Sequence, residues 1–419
     1  MNPKPTISAV SRRDLLRASL VLPFVGMVPT SLRAALPSPP DISEEDLRAD
    51  ARVAWAFFKP NDKYLPGMVP ATTSHPVLAM WDTGSLILAY VAARSLDLID
   101  QKDFNDRIEG VVSFLKKAVY RWKGADLPNF QTYVTTGKSY EDGYNSTDTA
   151  RLLVGLKVLQ KRGGKDFGID ELVSGWDIAS TVRDGRIHDV IKGKLVPYEL
   201  SMYSNYISRA YNLWDIKHEP IMDPRPLRDE AAKKAFLASA ADAGSIGTEP
   251  HVTEAVELGY SEPAEFLAGI LYDAQLKRFK DTGHLTCVSE APIDRAPWFI
   301  YQGYQLTGDG TEGKWAISGA GSSSQWRTAK FAEKIRMVVS GSAYLWYAAR
   351  PDDYTARLCA YVSKHGKTEN EGFSPGIYER SNRADEYPDI NNNALILESN
   401  AFIAKSRTSL LEGASLQDS

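Results

Sequence analysis

The chain has 419 residues, 43% hydrophobic and 24% charged, with a formal net charge of -4 at pH 7; this composition can bury one large core or two smaller ones and excludes extended disorder outside the termini. Lys4, Arg12, Arg13, Arg17 and Arg33 against Asp14 make the first 35 residues basic, so the remainder is more acidic than the total, which speaks against nucleic acid or anionic lipid as a partner. Six scattered histidines and two cysteines, Cys287 and Cys359, show no metal spacing.

In chain order, Ser11-Arg-Arg-Asp-Leu-Leu16 precedes an apolar run to Val28 that is interrupted by Pro23 and is short for a bilayer span. This arrangement resembles a twin-arginine export signal over residues 1–35, followed by a linker over 36–45, and predicts a periplasmic or secreted protein. In an oxidising compartment the two cysteines could pair or remain buried thiols. Ser43 before Glu44, Glu45 and Asp46 starts the first helix. From residue 46 to 405 we read a single domain. Six segments are apolar nearly all round and therefore predicted to be buried helices: Trp81–Ala93, Ser146–Leu156, Tyr203–Trp214, Glu262–Tyr272, Val339–Ala349 and Asn391–Phe402. Between them lie helices with a charged face, such as Lys102–Lys116 and Tyr354–Val362. Six buried helices ringed by six amphipathic ones give an all-α (α/α)6 toroid, a six-hairpin barrel with minor β-hairpin insertions; a less regular all-α solenoid is the alternative. One hairpin is expected around Gly185–Pro197, and residues 406–419 read as a polar tail.

In a toroid the inner-helix starts and their loops gather at one end, where unpaired N–H groups and variable loops favour chemistry. Those starts carry Asp82, Asp148, Glu199 and Asn391 to Asn393; Asp82, Asp148 and the asparagines also suit helix capping, a use contributing about 1 kcal/mol. In Cys287–Phe299, Pro292 and Pro297 exclude a regular helix and leave Glu290 and Asp294 on a loop beside Trp298, Phe299 and Tyr301. Aromatic faces stack on sugar rings, and carboxylates hold hydroxyls or move protons. Glycosidic cleavage uses two such carboxyl groups. We assign Glu290 as the acid, since apolar neighbours favour a protonated carboxyl, with Asp148 or Asp82 as the base. Trp81, Arg151, Tyr198, Glu199, Tyr203, Asp294, Trp298, Tyr378 and Asn392 are the expected substrate contacts. The bland alternative for Glu290 or Asp294 is an ion pair with Arg295 or Arg327 that merely fixes the loop. The chain has no G-x-S-x-G elbow, phosphate loop or H-E-x-x-H, so no cofactor or metal is expected, with a carboxylate-bound calcium left open.

Trp81-Asp-Thr-Gly-Ser85, Leu127-Pro-Asn129, Ser146-Thr-Asp-Thr-Ala-Arg-Leu-Leu153, Val288-Ser-Glu-Ala-Pro-Ile-Asp-Arg-Ala-Pro-Trp-Phe299 and Gly376-Ile-Tyr-Glu379, in this order, resemble the bacterial domain-of-unknown-function family 3131. The family pattern has polar residues where this chain has Ala291-Pro292. The resemblance runs from about Asp50 to Ala404 and implies a glucoamylase-like toroid in a carbohydrate setting, near bacterial glucan or exopolysaccharide synthesis systems. The expected function is a glycoside hydrolase or transglycosylase acting on a β-glucan or exopolysaccharide. Two alternatives stay open. One is a polysaccharide lyase or sugar epimerase using Tyr198, Tyr203 or His251 as base and Arg151 or Arg209 against a uronate; the other is a non-catalytic glycan-binding or assembly factor.

Overall fold

A computed structural model describes residues 38–222, 226–308, 310, 312–321 and 323–417; the expected twin-arginine signal over residues 1–35 lies outside them. Ser43 caps the first helix, Glu44–Trp55: its hydroxyl accepts the Asp46 N–H at 3.1 Å, and Asp46 Oδ2 accepts the Ser43 N–H at 3.0 Å, a reciprocal capping box.

Six helices form an inner ring: Met80–Ser95, Ser146–Arg162, Ser204–Asn212, Thr248–Leu258, Ser340–Ala349 and Ile390–Ala404. Each packs on the next in chain order, and the last returns to pack on the first. Outer helices back this ring. Glu44–Trp55 lies on the Ile390 helix, Gln101–Leu115 on the Met80 helix, Ile169–Ser174 on the Ser146 helix, Glu262–Thr282 on the Thr248 helix and Asp353–His365 on the Ser340 helix. Glu230–Ala243 rests against the strand Phe299–Leu306. The expected toroid is thus present, with one inner helix reassigned. The fourth is Thr248–Leu258, every residue of which is buried, and not the Glu262 segment. The latter, running on to Thr282, buries Ala264, Leu267, Ala268, Leu271, Tyr272, Gln275 and Phe279, a stripe at three- and four-residue spacing that marks an outer helix. Thr248–Leu258 escapes a hydrophobicity reading because it carries Glu249, His251, Glu254 and Glu257 into the interior.

The closest inner contact is between parallel neighbours. A Cβ at Gly84 would lie 2.6 Å from the Arg151 carbonyl carbon and oxygen, and one at Gly155 would lie 3.0 Å from the Gly84 carbonyl. Glycine lets these backbones touch, and the register Gly84 to Arg151 sets the first turns of the two helices level with each other.

Sheet structure is more extensive than expected. The hairpin Arg186–Ile191 with Lys194–Pro197 forms as read, its tight turn made by Lys192 and Gly193 at φ 50 and 75. A four-stranded antiparallel sheet, unforeseen in the sequence, joins Ser245–Ile246, Phe299–Leu306, Ala291–Pro292 and Gly313–Gly319. Its inner face meets the pair Met337–Val339 and Gly376–Tyr378 in a small separate core of Ala291, Ile293, Ile300, Ile317, Ile335, Met337, Val339 and Tyr378. Since Met337–Val339 runs straight into the Ser340 helix, this sheet sits on the rim where inner helices begin.

The segment after Ala404 is not a free polar tail. Leu410 and Leu416 are buried; the Leu410 and Leu411 N–H groups donate to the carbonyls of Val256 and Glu257, and that of Leu416 to Arg162. It therefore closes the opposite end of the ring, capping carbonyls where inner helices finish. Cys287 and Cys359 are both buried free thiols. Among the described residues no helix is long and apolar enough to cross a membrane.

Candidate active site

At the open end, Asp82 is the one partly exposed residue in a helix otherwise buried from Met80 to Ser95. It is the third helical residue and not the cap. Its Oδ2 accepts the Ala79 N–H at 2.9 Å, satisfying an orphan donor, and its Oδ1 accepts from Asn391 Nδ2 at 2.9 Å. Asn391 in turn accepts from the Ser85 hydroxyl at 2.6 Å, so the Ile390 helix fixes the carboxylate on its neighbour. Asp148 occupies the same third position in the adjacent Ser146 helix, where Asn145 is the cap and accepts the Asp148 N–H at 2.9 Å. Asp148 is 4% exposed.

One turn below Asp148, Arg151 pairs with carboxylates of two other inner helices. Fully buried, it lies 3.5 Å from Glu249, 3.0 Å from Glu257 and 3.0 Å from Glu398, with its guanidinium 5.0 Å from the Trp81 ring centroid. Tyr206 donates to Glu257. This group links five inner helices into a floor. Burial opposes the Arg151 charge, but Glu257 and Glu398 overcome it and hold the guanidinium charged. Three carboxylates exceed one cation, and burial pushes Glu398 well above the usual carboxylate range; Arg151 opposes this shift, while the charge and hydrogen bond of Glu257 reinforce it. His251, also on the Thr248 helix, is held neutral by burial, its pKa pushed down to about 3.

Glu249 stands between floor and opening, 7% exposed, with its N–H donating to Ser289 Oγ at 3.2 Å. Thr248 likewise donates through its N–H to the Val288 carbonyl at 2.9 Å. The segment Val288–Glu290 therefore runs along the head of the Thr248 helix, and partly exposed Glu290 follows directly on the residue that touches Glu249. Beyond Glu290 the chain enters a hairpin, Ala291–Pro292 pairing with Phe299–Ile300, and the two acids of the loop part company. Asp294 is at the hairpin tip, its side chain 4% exposed, bonded at 2.6 Å to Arg295 Nε and at 2.6 Å to an Arg383 terminal nitrogen, while its own N–H donates to Asp385 at 2.7 Å. Burial alone would raise its pKa; the Arg295 bond and charge, the Tyr378 bond and the Arg383 charge together bring it below the ordinary value. Arg295 pairs with Asp294, so the ion pair weighed for this loop belongs to Asp294.

Other expected contacts divide similarly. Trp81 is 1% exposed and packs edge-on against Tyr203 at 5.2 Å and tilted on Tyr206 at 5.8 Å; it is wall, not a stacking platform. Arg151 is occupied in the floor. Asn392 is 3% exposed, accepts the Gly341 N–H and donates to Asp389, so it ties two inner helices together and faces no ligand. Tyr378 is 2% exposed, its hydroxyl donating to Asp385 at 2.6 Å and lying 3.1 Å from Asp294. Tyr198 is half-buried against Ser201, and Glu199 is exposed in the loop after Lys194–Pro197. Trp298, partly exposed, stacks on Tyr387 with centroids 6.3 Å apart and planes at 24°. Arg209 is tied to Glu254 at 2.6 Å.

Sequence reading missed Glu249, Glu257 and Glu398. The available signal was a carboxylate inside an otherwise buried helix, which demands a partner. Among the described residues no group of three or more His, Cys, Asp or Glu is arranged to hold a metal ion.

A closed ring of six inner helices whose starting turns carry carboxylates over a buried ion-paired floor defines an (α/α)6 toroid with a polar open end. The chain belongs to the family described as Protein of unknown function (DUF3131), whose model matches residues 49–406. Among solved structures it is similar to a β-1,2-glucanase from Parabacteroides distasonis, with 13% identity and a TM-score of 0.59, the match covering 90% of this chain and 60% of that one. It is similar to the endo-β-1,2-glucanase from Chitinophaga pinensis in complex with sophorotriose and glucose, with 12% identity, a TM-score of 0.59 and 88% and 94% coverage. At these identities the likeness is one of fold. No functionally curated protein matches the chain by sequence.

Proposed function

We propose that this protein is an exported glycoside hydrolase or transglycosylase that cleaves a bacterial β-glucan or exopolysaccharide with two carboxyl groups. What supports this reading is the set of carboxyl groups at inner-helix starts: Asp82 and Asp148 on level first turns of adjacent helices, and Glu290 next to Ser289, which holds the Glu249 N–H at the head of the Thr248 helix. Glu290 passes its proton to the leaving glycosidic oxygen. Asp148 acts on the other side of the anomeric carbon, as base toward water or as nucleophile. Asp82, held by Asn391 and the Ala79 N–H, fixes a sugar hydroxyl. The Arg151 floor keeps Glu249 in place, and Trp298 offers an aromatic face at the rim. A β-1,2-glucanase on the same fold supports the substrate class, and the leader supports export.

The lyase or epimerase reading is less well supported, because Arg151 and Arg209 already satisfy protein carboxylates. The test is hydrolysis of β-1,2-, β-1,3- and β-1,4-glucans by wild type, Glu290→Gln and Asp148→Asn. Loss of either group should lower turnover about 10²- to 10⁴-fold, the range for positioned acid–base catalysis, while binding persists. Unchanged turnover in both variants overturns the assignment, and an absorbance rise from unsaturated products identifies a lyase.

A further inference from the structure

The hairpin tip that removes Asp294 from the carboxylate end builds a second feature. Beside it is a cavity of about 520 Å3 lined by Arg295, Lys334, Tyr378, Arg380, Ser381 and Arg383. Four of the six are cationic, and no acid lines the wall.

The cations are held in place from behind. Asp294, its side chain 4% exposed, bonds both Arg295 and Arg383 at 2.6 Å. The buried Tyr378 ring is flanked by the same two guanidiniums, at 4.7 and 5.9 Å from its centroid, a stacking that favours arginine over lysine. Arg295 contacts Asp294 through Nε, which leaves its terminal N–H groups for a ligand. Arg380 has an exposed partner in Glu333 at 3.3 Å, Arg383 another in Glu386, and such solvent-exposed pairs exchange easily for a better acceptor. Lys334 enters no ion pair among the described residues. An anion entering here meets preorganised donors with the buried counter-charge at their backs, a geometry suited to carboxylate, phosphate or sulfate.

The cavity is joined through the chain to the elements that carry the carboxylates. Its walls are the Ile293–Trp298 tip, the segment following Gly376–Tyr378, and the end of the short helix Ala329–Ile335. The first begins three residues after Glu290, and the second runs on to Asp389, the cap of the inner helix that carries Asn391. We propose that this cavity is a rim subsite for acidic substituents of the glycan, so that the preferred substrate is an anionic polysaccharide; this ligand class rests on the carbohydrate reading above.

The probes are inorganic sulfate, a neutral β-gluco-oligosaccharide and a uronate-bearing oligosaccharide of equal length, titrated at low salt against wild type and the double variant Lys334→Glu, Arg380→Glu. Both substituted residues are exposed, and a circular dichroism melt confirms the variant's fold. Wild type is expected to favour the acidic oligosaccharide about tenfold, one charge-assisted contact's worth, with the preference falling as salt rises. The variant should lose that preference and keep its affinity for the neutral sugar. If the preference survives in the variant, or if wild type binds neither sulfate nor acidic sugar better than neutral, the subsite is refuted. If sulfate binds wild type alone and neither oligosaccharide binds, the anion site stands and the carbohydrate reading falls.

Discussion

Glu398→Gln isolates the proton held in the floor of the ring. Glu398 and Glu257 are both fully buried beside one guanidinium, and burial favours the protonated form of Glu398. Burial, the largest cause, and the Glu257 charge raise the Glu398 pKa well above its ordinary value. The folded chain therefore keeps a proton that the unfolded chain releases above its pKa of about 4.3. For a raised carboxyl the associated stability is complete below the unfolded pKa and is lost as pH rises toward the folded one. The loss is about 1.4 kcal/mol per pH unit in that window, without a discount for solvent because the group is not exposed. An amide cannot take part in this titration. The stability of Glu398→Gln relative to wild type should thus climb with pH at about that slope. Taking this difference removes opposing contributions such as that of His251, which burial holds neutral at about 3. Urea unfolding of both proteins at pH 5, 6, 7 and 8 gives the measurement. A difference independent of pH shows Glu398 to be ionised in the fold and refutes the reasoning. In the same series Arg151→Met should cost about 3–5 kcal/mol, since it strands buried charge.

Gly84→Ala should destabilise although alanine favours helices by about 1 kcal/mol, because the new Cβ would lie 2.6 Å from Arg151 backbone atoms; a net loss of about 1–2 kcal/mol in urea is expected from overpacking. Ending the chain after Lys405 exposes Val256, Glu257 and Arg162 carbonyls and removes buried Leu410 and Leu416; thermal melts should fall by the equivalent of about 3–5 kcal/mol. Asp389, the cap of the last inner helix, has its pKa pushed up to about 7 by burial, aided by the Asp82 charge and opposed by its Asn392 bonds. Asp389→Asn should therefore flatten the loss of stability between about pH 4 and 7, a window set by the unfolded and folded values, and an unchanged profile argues that Asp389 is charged throughout.

The sequence by itself determined the alternation of buried and amphipathic helices, because an all-round apolar segment has no stable place other than the interior of a ring or bundle. It also determined the hairpin near Gly193, where turn chemistry is local. Pro292 and Pro297 correctly excluded a helix there. Tertiary structure decided what local pattern could not. Thr248–Leu258 is polar enough to look exposed, yet it is buried because Arg151 and Tyr206, 97 and 42 residues before Thr248, neutralise its Glu257. Glu290 and Asp294, four residues apart, face different surroundings because Ala291–Pro292 pairs with Phe299–Ile300 and turns the tip away. Trp81 and Asn392 occupy helix starts as expected, but which side of a starting turn faces the opening depends on the neighbour's register, here set by Gly84 against Arg151 and by Asn392 against Gly341. Charge partners and facing are long-range quantities, and only the closed ring supplies them.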